Sequence, residues 1–266
     1  MELFGFNPGD VLSFLLTLFR ISVILFLLPF FGGNSIPNPI KAALTLVLAM
    51  AVWPQLSFPG SLMPANGIGI ALMIIGELIL GLILGLLVRF LFAAVQFGGQ
   101  IIGFQMGFAM VNVVDPITGT SNTATAHFMY MCTMLTFLVL NGHLQLLSAL
   151  GQSFQYVPPG GLLLTPRMAT NMLQYSNIVF TLAIKIAAPV MAALFLVDLA
   201  LALISRAAPQ MHVLTLGFPL KIAVGFFFIG FIFTIMNNYV GDFIQQFGPI
   251  STNILKALAP PAPPAL

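Results

Sequence analysis

Six charged side chains stand inside runs that are otherwise apolar: Arg20, Glu77, Arg89, Lys185, Asp198 and Lys221. An ionised group is costly in hydrocarbon, so each must face protein, a partner or water. Two chemistries suit such a set. A string of titratable groups can relay protons or ions, and opposite charges can pair and hold helices together. Only Glu77 and Asp198 are acids, which argues against a dedicated relay. Glu77 to Arg89 and Lys185 to Asp198 are both too far apart in sequence for pairing on one helix face. Their partners are therefore expected on other helices or other chains, and the six are read as charges at subunit contacts. His127, His143 and His212 are dispersed and Cys132 is the one cysteine, so no metal-ligand spacing forms. No phosphate loop or nucleophile elbow occurs. Neither an enzyme nor a metal or cofactor site is expected.

A second constellation is built from glycine. Gly81 and Gly85 form one GxxxG step, and Gly99, Gly103 and Gly107 form two in tandem. Such spacing puts a smooth strip on one helix face and lets another backbone approach closely. Gln96 and Gln100 lie one turn apart beside the tandem strip, placed to hydrogen-bond across the contact. The stretch that follows, "GFQMGFAMVNVVDPITGTSN" from Gly103 to Asn122, changes character halfway. Met106, Phe108, Met110, Val111 and Val113 are soft and apolar. Asn112, Asp115, Pro116 and Thr118 then break the run, and small hydroxyl and amide residues continue to Thr125. The hydroxyl run reads either as a cap before the next helix or as an uncharged polar lining.

The elements that must position these residues follow from composition. Hydrophobic residues are 59% of the chain and charged residues 5%, against roughly 25% charged in soluble domains. So few charges cannot cover a water-soluble surface, which makes this an integral membrane protein. The net charge of +2 points to no nucleic acid. "MELFGFNPGD" lacks a basic n-region, so the first apolar segment is expected to be retained rather than cleaved.

Val11–Phe31 makes a helix of about 31 Å, enough to cross a bilayer core. "GGNSIPNP" turns the chain, and Ile40–Trp53 is short for a span at about 21 Å. Ile68–Met110 is free of proline and would run about 64 Å, twice the hydrocarbon thickness. His127–Leu140 is apolar and continues into the more amphipathic "NGHLQLLSALGQSF" before "VPPGG" stops it. Thr165 and Pro166 read as N-cap and first helical residue of a helix reaching about Ser205, with Pro189 inside it. "RAAPQMH" breaks the chain, and the Phe-rich run Leu214–Val240 closes the apolar part. The expectation is one all-α membrane domain over 1–248, followed by a Pro/Ala-rich tail over 249–266. Six apolar runs suggest a flat six-span bundle. One run is too short for that, and two are too long and stay apolar beyond bilayer length. Apolar surface outside lipid needs cover, so long kinked helices and helical hairpins within a multi-subunit helical assembly are the better reading.

"QFGGQIIGFQMGFAMVNVVDPITG" (96–119), "FLVLNGH" (137–143) and "ISRAAPQMHVLTLGFPLKI" (204–222) together resemble the flagellar biosynthetic protein FliR family of type III secretion export gates. The first hairpin, Phe19 to Lys41, is similar to that family as well. Arg206, Pro209, Gln210, Met211, Gly217, Pro219 and Lys221 carry the most specific motif, with His212 where the family has Asn. The resemblance spans about residues 10–245. It implies an all-helical subunit of the bacterial inner membrane, in the flagellar basal body. The implied partners are FliP-like, FliQ-like and FlhB-like subunits, the lipid bilayer and unfolded export substrates. It also implies that the segment matching Met106–Asn122 lies in the lumen and closes the channel. Methionine repacks without a fixed shape, and an apolar constriction blocks ions by dewetting, so this composition suits a deformable stopper. A small-molecule transporter and a purely structural scaffold subunit are the competing readings.

Overall fold

The computed structural model describes residues 8–32, 36–55, 64, 66–108, 123–163, 165–210 and 213–260. Each element among them is helical. They are α1 (Pro8–Leu27), α2 (Pro29–Gly32), α3 (Asn38–Val52) with a 3-10 turn (Trp53–Gln55), and α4 (Gly67–Met106). Then come α5 (Ala124–Val139), α6 (Gly142–Tyr156), α7 (Pro166–Ala207) and α8 (Val213–Leu258). Helices α1, α4, α7 and α8 are long and apolar enough to cross a membrane. The pair α5–α6, bent by 65°, supplies a fifth candidate, while α3 is too short. The chain is an integral membrane protein, and the six apolar runs of the sequence reduce to four long helices and one broken one. Asn141 makes the break. It sits in the left-handed region at φ 58°, which Asn tolerates better than most residues.

Two boundaries differ from those read in the sequence. Helix α4 stops at Met106 because Gly107 adopts φ 94°. Gly107 N–H donates to Phe104 O at 3.1 Å and Phe108 N–H to Gly103 O at 3.0 Å, the paired bonds of a glycine C-cap that satisfy the last carbonyls. Helix α8 does not end near Val240 but continues to Leu258. It runs through Gly248 and Pro249 into the segment expected to begin a tail. Ile244, Phe247, Ser251, Ile254, Leu255 and Leu258 are all buried at helical spacing. That buried stripe outweighs the one hydrogen bond proline removes, since packing of an amphipathic face, more than propensity, stabilises helices. Residues 261–266 lie outside the described ones. Contacts gather into two units.

The first unit takes in residues 1–89, 141–174 and 244–266. Here α1 and α4 lie side by side along the glycine step. A Cβ at Gly81 would stand 2.9 Å from both Arg20 O and Val23 Cβ, and one at Gly85 would stand 2.7 Å from Leu27 Cβ. Residue numbers rise together on the two helices, so they run in the same direction. The end of α8 closes against the turn after α6, with Leu163 N–H donating to Leu258 O at 3.2 Å.

The second unit takes in residues 90–140 and 175–243. Its centre is aromatic: Phe92 meets Tyr130 and Phe137 of α5 edge-on at 5.7 and 5.5 Å. Helices α7 and α8 are antiparallel there, as Lys185 over Tyr239 and Asp198 beside Lys221 show. Only 22% and 17% of their most apolar windows are buried. Phe195, Leu196, Leu203, Phe227 and Phe231 stay exposed, so this unit presents an apolar face that lipid or protein must cover.

Candidate functional site

The stretch that changes character halfway leaves α4 at Gly107 and rejoins helix at Ala124. Met110, Val111, Asn112, Val113, Asp115 and Thr118 lie outside the described residues. Its two ends are described, and they meet within the second unit. Gly99 has Ala126 Cα 2.8 Å from where a Cβ would be, and Gly103 has Thr123 Oγ1 at 2.6 Å. No side chain fits between α4 and the start of α5. Across this bare contact Thr125 Oγ1 donates to Gly99 O at 2.9 Å. Thr123 Oγ1 lies 3.0 Å from Thr125 Oγ1 and accepts from Ala126 N–H at 3.3 Å. Thr123 is thus the N-cap of α5, the arrangement that satisfies an orphan donor of the first turn. Both threonines are buried. The cap reading holds for this end of the hydroxyl run, and these two side chains face protein rather than a wet passage.

On the other side Met106 is fully buried, filling the space beside Gly225, where a Cβ would lie 2.6 Å from its sulfur. Gly107 packs on Phe218, whose Cδ1 stands 2.8 Å from the missing Cβ, and Phe108 meets Phe226 edge-on at 6.3 Å. Gly103 serves the close packing of α4 on α5, while Gly107 also ends the helix. The base of the stretch is a dry joint of α4, α5 and α8.

Of the six charges, the structure brings four together in two pairs. Arg20 Nε donates to Glu77 Oε2 at 2.5 Å, with Arg20 0% and Glu77 1% exposed. The remaining guanidinium donors reach Ser153 Oγ and Val157 O, both at 3.1 Å, and the Phe154 ring lies 4.1 Å from Cζ. Glu77 Oε1 also accepts from Gly160 N–H at 3.3 Å. One ion pair thus ties α1, α4, α6 and the "VPPGG" turn into a single satisfied network. This corrects the assignment of Arg20 and Glu77 to subunit contacts: they are enclosed within the first unit. The sequence showed no sign of Ser153 or the Val157 carbonyl as partners, because they lie more than a hundred residues away from Arg20.

Lys221 and Asp198 form the other pair, 21% and 46% exposed, at the wall of a groove between α7 and α8. Leu201, Ala202, Ser205, Gly217 and Phe218 complete a volume of about 300 Å³. The specific motif frames this groove: Gly217 packs on Leu201, and Lys221 supplies the charge. Arg206, Pro209, Gln210 and Pro219 are exposed, as are Arg89 and Lys185, and Met211 lies outside the described residues. Among the described residues no group of three metal-ligating side chains forms.

The family described as bacterial export proteins, family 1, matches residues 11–247. The chain belongs to that family. The flagellar biosynthetic protein FliR of Bacillus subtilis is 36% identical over 236 residues, covering 85% of this chain and 89% of the relative. FliR of Escherichia coli K12 is 32% identical, covering 78% and 79%. The surface presentation of antigens protein SpaR of Salmonella typhimurium is 27% identical, covering 76% and 75%. The matched range takes in residues of both units.

Proposed function

We propose that this export-family chain is a core subunit of the flagellar type III protein export gate, set in the bacterial inner membrane at the basal body. It helps form and close the channel for unfolded substrates, in company with FliP-like, FliQ-like and FlhB-like subunits. The role is mechanical, with no catalytic step. The exposed apolar face of α7 and α8 supports membership of a larger membrane assembly, since it needs cover by lipid or neighbours.

The observation that carries the closing role is the dry joint at Gly99–Gly103 and Thr123–Ala126. It brings the last turns of α4 and the start of α5, which flank the stretch between Phe108 and Asn122 in sequence, together within the second unit. The first half of that stretch has methionine, phenylalanine and valine to exclude water, and its second half has Asp115 followed by hydroxyl and amide residues to line a passage. The test is crosslinking. A photoreactive or thiol crosslinker at a Met110→Cys position, in the complete gate, is predicted to join a stalled export substrate. Assembled gates that translocate substrate without ever crosslinking from this position would favour the scaffold reading instead.

A further inference from the structure

The hydroxyls at the start of α5 behave differently from those of Thr17, Thr45 and Thr133. Thr17, Thr45 and Thr133 each turn back on their own helix, donating to Ser13 O, Lys41 O and Met129 O at 3.0, 2.8 and 2.8 Å. Thr125 donates across the joint to Gly99 O of α4, with Thr123 Oγ1 set beside it at 3.0 Å. We propose that Thr125, seated by Thr123, is the positioning residue of a releasable clasp that holds the start of α5 on α4 while the channel is shut. The proposal deepens the closing role above and rests on it.

Three features make the joint releasable rather than merely packed. Gly99 and Gly103 offer α4's partner no side chain to interlock with, so sliding apart meets little steric resistance. The directional bond across the bare contact ends on a carbonyl inside helix α4, and such a carbonyl already belongs to the helix ladder. Parting the helices therefore leaves no orphaned acceptor, which is the costly outcome when a buried hydrogen bond breaks. On the other side, a freed threonine hydroxyl can turn to its own helix, as Thr17, Thr45 and Thr133 illustrate, or to water. The Arg20 network is the opposite case, because opening it strands two charges. The chain thus contains one joint built to stay and one built to let go.

One neutral hydrogen bond of this kind shifts a closed-to-open ratio by about two- to tenfold. The test uses the complete gate in membranes, with assembly measured by co-purification of the other subunits. Thr125→Val keeps the shape and removes the donor, and it is predicted to raise basal leak of small solutes about two- to tenfold per assembled gate. Thr125→Ser keeps the donor and should match the wild type. Gly103→Ala, which puts a methyl where Thr123 Oγ1 stands, should leak like the valine variant. A valine variant that assembles and leaks no more than wild type overturns the clasp, as does a serine variant that leaks equally. Deleting Phe108–Val114 in parallel separates the two claims. Leak from the deletion without leak from Thr125→Val rejects the clasp alone. No leak from either rejects the closing role with it.

Discussion

Removing one member of the Arg20–Glu77 pair should be far more damaging than removing both. In Glu77→Leu the guanidinium stays fully enclosed, keeping only Ser153 Oγ, Val157 O and the Phe154 ring. All three partners are neutral. In Arg20→Met the carboxylate stays buried with the Gly160 N–H as its bond partner in the network. Breaking a buried pair this way costs about 3–5 kcal/mol, a large part of the 5–15 kcal/mol that typically separates folded from unfolded protein. The double variant Arg20→Met/Glu77→Leu strands no charge. Buried pairs replaced by apolar residues of similar size are often neutral or stabilising, so it should recover most of the loss. The assay is a double-mutant cycle on thermal unfolding in detergent, with abundance in membranes as a second readout. Both singles should fall well below wild type and the double should return close to it, giving a coupling of about 3 kcal/mol or more. Singles as stable as wild type, or losses that simply add in the double, would refute the argument that the pair is dry and mutually dependent.

Two further outcomes follow from the packing. Gly81→Leu forces side-chain atoms into Arg20 O and Val23. It should cost about 1–3 kcal/mol, the usual range for overpacking, read as a lower melting temperature in detergent, whereas a substitution at exposed Gly67, with open space around it, should be nearly silent. Asp198→Asn removes a pair that is 46% exposed on the acid side. Its effect on the isolated chain's stability should stay under about 1 kcal/mol, so a strong loss of export would locate its importance in the assembled gate; the two are separated by measuring melting and motility together.

The long helices could be read from the sequence because length and apolarity are local properties. So could the glycine contacts: a GxxxG step shows in advance that some neighbour comes close, and Gly81, Gly85, Gly99 and Gly103 each have one within 3 Å of the missing Cβ. What they would meet was not readable, because Val23, Leu27, Ala126 and Thr123 have nothing in their types that points to glycine. The same holds for Arg20. Its apolar surroundings required only that it face something other than lipid, and Glu77 is 57 residues away and Ser153 is 133, distances at which no sequence period operates. Gly107 misled through its spacing. It continues a GxxxG series, yet the helix ends there, and only the positive φ marks it as a cap as well as a packing position. At Gly248 and Pro249 the opposite happened. Two residues that commonly end helices sit inside α8, because the buried stripe from Ile244 to Leu258 holds the helix on both sides of them. Thr125 was legible only as a polar residue in a polar run, since its bond to Gly99 depends on a contact between two helices.

The central claim is that the stretch after α4 shuts a polypeptide channel. Its most direct test is solute permeability of membranes carrying the complete gate, with and without Phe108–Val114. The account predicts tight membranes for wild type and open conductance for the deletion, at equal amounts of assembled complex. Equal tightness of both, with assembly intact, would contradict it.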